Sequence, residues 1–201
     1  MSEHLERGEA IAAWIDARID GLDIPNNVRV RLAAACLDMA LEHHCAILLL
    51  TRQERYGSAA ALARCAFEAY VRGVWLYYCA TDAELGRLRH NDRIDKCLRD
   101  LIVELEQHEA FNVGVLSQVK NQSWRAMNSM TYGGMQQLSR RMTADEIRPS
   151  YTDAESADAV SSATSIALLA AIAVAAIAGD EELARAVLDR AQADDVLDPG
   201  T

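Results

Sequence analysis

Residues 152–179 read TDAESADAVSSATSIALLAAIAVAAIAG. Thr152 stands three residues before Glu155. That is the spacing of a capping box, in which each side chain satisfies the other residue's backbone N–H. From Ile166 to Ala178 the run is uninterrupted Ala, Ile, Leu and Val, and Gly179 supplies a stop. A membrane span needs roughly 20 apolar residues, whereas a shorter run reads as a buried core helix. The flanks are acidic, with Asp153, Glu155 and Asp158 before and Asp180, Glu181 and Glu182 after. No Lys/Arg cluster or aromatic belt sets an orientation in a bilayer. A helix apolar on all sides must be enclosed by others. The stretch therefore predicts an all-α bundle with an Ala-rich central helix, and no membrane partner.

The rest of the chain agrees. It has 201 residues, 51% hydrophobic but only 5% aromatic, with three Pro. Such length suffices for one core without disulfides or metal. The spacing of Ile11, Trp14, Ile15, Ile19 and Leu22 predicts a helix over 3–22. Asn26 or Asn27 caps a long helix reaching about Leu50, and a third runs from Tyr56 to about Ala80. Thr81 and Glu84 form another capping box, opening a fourth helix to about Glu109. Its polar face carries Arg87, Arg89, Arg93, Lys96 and Arg99. A fifth helix covers about 115–130, and a short one about 135–142. The central helix follows, and Asp180 caps a last helix to about Ala193. The expectation is a single domain of six to seven helices over 1–193, with a polar tail at 194–201.

Charge and cysteines bound the function. Twenty Lys+Arg against thirty Asp+Glu leave a net charge of −10. That opposes broad nucleic-acid binding, which draws on Lys and Arg against phosphate, but it leaves room for a local basic cleft. The N-terminus lacks a basic segment followed by an apolar run, so no secretory signal is expected. The five cysteines have no C-x-x-C spacing and read as free buried thiols in a reducing cytoplasm.

No metal or cofactor is expected. No histidine has Glu three residues before it, as a helical di-iron site requires, and there is no His-Glu-x-x-His. Glu42-His43-His44 reads as a polar stripe, since successive helical residues point apart. No phosphate-binding glycine loop or nucleophile elbow is present.

Two segments carry candidate chemistry. Arg64, Glu68 and Arg72 are successive i, i+4 positions on a helix otherwise dense in apolar residues. A ladder there is partly desolvated, and desolvated charges need partners. It is either the wall of a binding cleft or an internal staple. Arg125, Asn128 and Tyr132 share one face of the fifth helix at i, i+3 and i+7, before the Gly133-Gly134 turn.

The pair ALARCAFEAYVRGVWL (61–76) and RAMNSMTYGGMQQLSRR (125–141) resembles an uncharacterised bacterial helical group similar to the HEPN (higher eukaryotes and prokaryotes nucleotide-binding) superfamily. The resemblance implies a homodimer, and a ribonuclease whose Arg-x6-His motifs converge across the dimer. It also implies a toxin–antitoxin or phage-defence setting with an antitoxin-type protein partner. Arg125 matches the Arg, but Tyr132 stands where His belongs. A phenol titrates near pH 10 and is a poor base at neutral pH, unlike an imidazole near 6.5. The expectation is a catalytically weak or inactive binder of RNA or nucleotide. Arg125 and Tyr132 would be the degenerate catalytic pair, and Arg64, Glu68, Arg72 and Asn128 the binding residues. The alternative is a homodimeric interaction module with no ligand chemistry.

Overall fold

The computed structural model describes residues 1–143 and 145–194. Among them are nine α-helices and no strand: α1 (Ser2–Ile19), α2 (Val28–Arg52), α3 (Tyr56–Tyr78), α4 (Asp82–Asn91), α5 (Leu98–Leu105), α6 (Val115–Thr131), α7 (Met135–Ser139), α8 (Asp153–Ala178) and α9 (Glu181–Ala193). One 3-10 turn, Glu109–Phe111, precedes α6. The expected tail falls mostly on 195–201, outside the described residues.

The central helix forms as its ends dictate. Thr152 Oγ1 accepts from Glu155 N–H at 3.1 Å, and Glu155 Oε2 accepts from Thr152 N–H at 2.9 Å. Gly179, at φ 72°, closes α8 in the left-handed region that Gly tolerates. Between these ends α8 packs on α1, α2, α3 and α9. Ala163, Ala167, Ala170, Ala171 and Ala175 are fully buried. Small residues also bring the other helices close. A Cβ added at Gly8 would lie 2.7 Å from Leu48 Cδ2 and 3.2 Å from Thr164 Oγ1. One added at Gly73 would meet Leu37 at 2.8 Å, where α3 packs on α2.

By length and apolarity both α2 and α8 could cross a membrane. In this fold 61% of α8's most apolar stretch is buried against protein, and 39% of α2's.

The expected fourth helix is two helices. Asp92 takes a left-handed φ of 50° and ends α4. Asp100 then caps α5, accepting from Cys97 N–H at 3.2 Å and Cys97 Sγ at 3.0 Å. The break turns Lys96 inward. Its ammonium lies 2.6 Å from both Glu84 and Glu104, above the Trp75 ring, whose Nε1–H donates to Glu104 at 2.7 Å. Burial would raise the Glu84 pKa, but hydrogen bonds from Lys96 and from the Thr81 backbone and hydroxyl outweigh it and hold it at about 2. The expected basic face is accordingly dispersed, with Arg87 and Arg93 both paired to Asp95.

Two further expectations change. Cys97 is exposed and the other four thiols are half-buried, though all five are free. His44 is no part of a surface stripe, being only 1% exposed. Its Nε2 lies 3.1 Å from Thr164 Oγ1, which itself donates to the Val160 carbonyl at 2.9 Å. With the hydroxyl hydrogen so used, Nε2–H is the donor to Thr164.

Burial lowers the His44 pKa from 6.5 to about 4. The unfolded chain therefore binds a proton between those values that the folded chain does not. Stability is full above pH 6.5 and falls as pH falls towards 4, by about 3 kcal/mol over the window. Denaturant melts at pH 7 and 4.5 should show this slope, and His44→Leu should reduce it.

Candidate functional site

The ladder and the fifth-helix segment do meet, though only in part. Helix α6 packs on α3. Thr131 Oγ1 donates to the Ala61 carbonyl at 3.0 Å and pins the two together. Trp124 lies two turns before Thr131, so it faces α3 as well. The Arg64 guanidinium lies 4.8 Å from the Trp124 ring centre and 4.6 Å from that of Tyr132. It also donates to Glu68 at 2.5 Å. Arg72 stands 3.8 Å from the other Glu68 oxygen.

Burial decides what each charge can do. The Arg64 and Glu68 side chains are 15% and 21% exposed, against 50% for Arg72. Arg64 Nε is buried without a hydrogen-bond partner. Burial alone would lower the Arg64 pKa; contacts with Tyr132 and Glu68 outweigh it, so the net shift is upward. Arg64 is thus a permanent cation held by two rings and a carboxylate. It is a staple between α3 and α6 rather than a free anion receptor.

The other residues face outward. Arg125 lies about 100° round the helix from Trp124. It is exposed, and no ion pair or hydrogen bond from its side chain is seen among the described residues. Asn128 is half-buried, and its carbonyl accepts the Tyr132 N–H at 2.9 Å. Tyr132 is 71% exposed, so one ring face meets Arg64 while much of the ring meets solvent. No hydrogen bond or ion pair joins Arg125 to the ladder among the described residues, and no group of His, Cys, Asp and Glu there could hold a metal.

Beyond Tyr132 the chain doubles back. Gly133 has φ 67°, and a Cβ at Gly134 would lie 2.5 Å from Ser129 Oγ, so the turn needs glycine at both positions. Ser129 Oγ accepts from Gln136 N–H at 3.0 Å, and Gln137 Nε2 donates to the Gly57 carbonyl at 2.9 Å. The segment is therefore anchored. It nevertheless presents Tyr132, Met135, Leu138, Met142 and Ile147 to solvent.

The family model that matches covers residues 37–194. The chain belongs to DUF6988, a family of unknown function. The match takes in most of α2 and all of α3 to α9, hence every residue of the ladder and of the α6–α7 turn. No curated protein and no solved structure matches the chain. Nothing in the DUF6988 match supports a HEPN relationship.

Sequence reasoning missed Trp124 as the platform for Arg64, although its spacing from Thr131 carries the signal. It also missed the Trp75–Lys96–Glu84–Glu104 cluster and the exposed apolar run from Tyr132 to Ile147. The staple predicts an asymmetry. Glu68→Ala leaves a partly buried cation and should cost about 2–3 kcal/mol in urea melts, whereas Arg72→Ala should cost about 0–1 kcal/mol.

Proposed function

We propose that the chain is a non-catalytic interaction module that pairs with a second copy of itself through the α6–α7 face. The observation that carries this reading is the exposed apolar run: Tyr132 at 71%, Met135 at 70%, Met142 at 58% and Ile147 at 90%, with Leu138 among them. Exposed apolar patches mark interaction surfaces. Tyr, Met and Arg are enriched at the centre of protein interfaces. The backbone beneath is held by Ser129, Gln137 and the Arg140–Glu155 ion pair, so docking needs little ordering. Exposed residues of both signs belong to the same segment, Arg125 and Arg141 together with Asp145 and Glu146. That suits a two-fold contact, in which one patch meets itself.

A second reading keeps the HEPN-like binder of RNA or nucleotide, acting in a toxin–antitoxin or phage-defence setting with an antitoxin-type partner. What favours it is the Tyr132 ring, backed by Arg64 and open on its outer side, and an Arg125 side chain on the same helix with no ion pair among the described residues. Bases stack on such rings, and free guanidinium groups bind phosphate. Catalysis has less behind it, since the motif lacks His and Arg64 is already paired.

Sedimentation equilibrium separates the readings. The wild type should behave as a dimer, and Met135→Glu/Leu138→Glu as a monomer with unchanged circular dichroism. A monomeric wild type would remove the first reading. Saturable RNA or nucleotide binding that is lost in Tyr132→Ala would establish the second.

A further inference from the structure

On the far side of α2 from its contacts with α3, an open groove runs between α1 and α2. One end, of about 290 Å³, is floored by Ile19, Leu22, Ile24, Ala34, Leu41 and Val174. The other, of about 860 Å³, continues past Ile19 and Leu41 to Cys45. From Arg31 to Cys45 the groove follows about 21 Å of helix, or about four turns.

Its rim is acidic. Asp16 and Asp20 come from the C-terminal end of α1, and Asp38 and Glu42 from α2. Each pair is spaced i, i+4, so each helix carries a like-charge repulsion. Asp16 and Asp20 also sit at a helix C-terminus, where the macrodipole opposes negative charge. None of these four carboxylates forms an ion pair among the described residues; Arg31, at the apolar end, is the nearest cation lining the groove. The charges of both helices converge. The Cys45 thiol pKa is raised by burial first, then by Asp16 and by Glu42.

We infer that this groove is a docking site for a basic amphipathic helix of a protein partner. The apolar floor takes aliphatic side chains at i, i+3, i+4 and i+7, and the rim takes the Lys and Arg that flank them. Charge complementarity selects that occupant. A neutral apolar segment would leave the four carboxylates in repulsion at the contact, and an acidic one would add to it.

The test uses a fluorescein-labelled amphipathic peptide of Leu and Lys, about four helical turns long, titrated into the full chain at moderate salt. Saturable binding is expected, and the same peptide with Glu in place of Lys should not bind. Asp38→Lys/Glu42→Lys should weaken binding at least about tenfold. Glu109→Lys/Asp158→Lys changes the net charge equally at exposed positions outside the groove and should shift it less than about twofold. Equal losses in both variants would reduce the effect to net charge and overturn the proposal, as would absence of saturable binding. Melting temperature gives an independent reading. Asp38→Asn/Glu42→Gln should raise it, because the repulsion is relieved; a fall would show that these carboxylates serve the fold and would overturn the docking role. A wild-type dimer broken by Asp38→Lys/Glu42→Lys would assign the groove to a second copy and overturn it too.

Discussion

Everything in this fold depends on how closely backbones can approach α8. An Ala-rich helix offers little side-chain surface of its own, so dispersion and burial are gained only if its neighbours come near. Gly8 meets that condition on α1, beside Leu48 and Thr164. Gly73 meets the equivalent condition one layer out, where α3 sits on α2. The His44–Thr164 hydrogen bond lies inside the same contact. A polar pair there fixes rotation and register between α2 and α8, which smooth Ala surfaces define poorly.

Charge has a different distribution of work on each side of the molecule. Around α3 to α6 two cations are enclosed by their partners. Arg64 is held by Glu68 and two rings, and Lys96 by two carboxylates and an indole. On the rim of the α1–α2 groove, Asp16, Asp20, Asp38 and Glu42 have no such partners among the described residues, although the helix spacing sets them against each other. The groove rim is thus electrostatically open where the Arg64 and Lys96 clusters are closed. By sequence, residues 153–201 carry ten Asp+Glu against two Arg, so the net −10 belongs largely to the C-terminal part of the chain.

Local chemistry made much of the architecture legible. Asn27, Thr81, Thr152, Gly179 and Asp180 each signal a helix boundary with a mechanism, and each boundary lies where its cap places it. What was illegible depends on distant partners. The break after Asn91 lets Lys96 reach back to Glu84 and forward to Glu104, a contact that no window of helical periodicity registers. His44 looked polar because its partner lies on α8. The ladder was readable as i, i+4 spacing, but its character was not, because Trp124 and Tyr132 turn a surface network into a half-buried staple. Arg125 was drawn into the site by spacing with Asn128 and Tyr132. The face of α6 that packs on α3 is instead the one marked by Trp124 and Thr131.

The position of α8 in the chain also shapes how the molecule comes together. Helices α2 and α3 are adjacent in sequence and can pair early, with only a short connection to close. The helix that seals their buried side, and gives α1 and α9 something to pack on, is not made until residues 153–178 have emerged. Before then the inner faces of α1, α2 and α3 have no lining, and their apolar surface is open to chaperones or to misassociation. The keystone follows the helices it joins, so their packing waits on α8 rather than growing helix by helix.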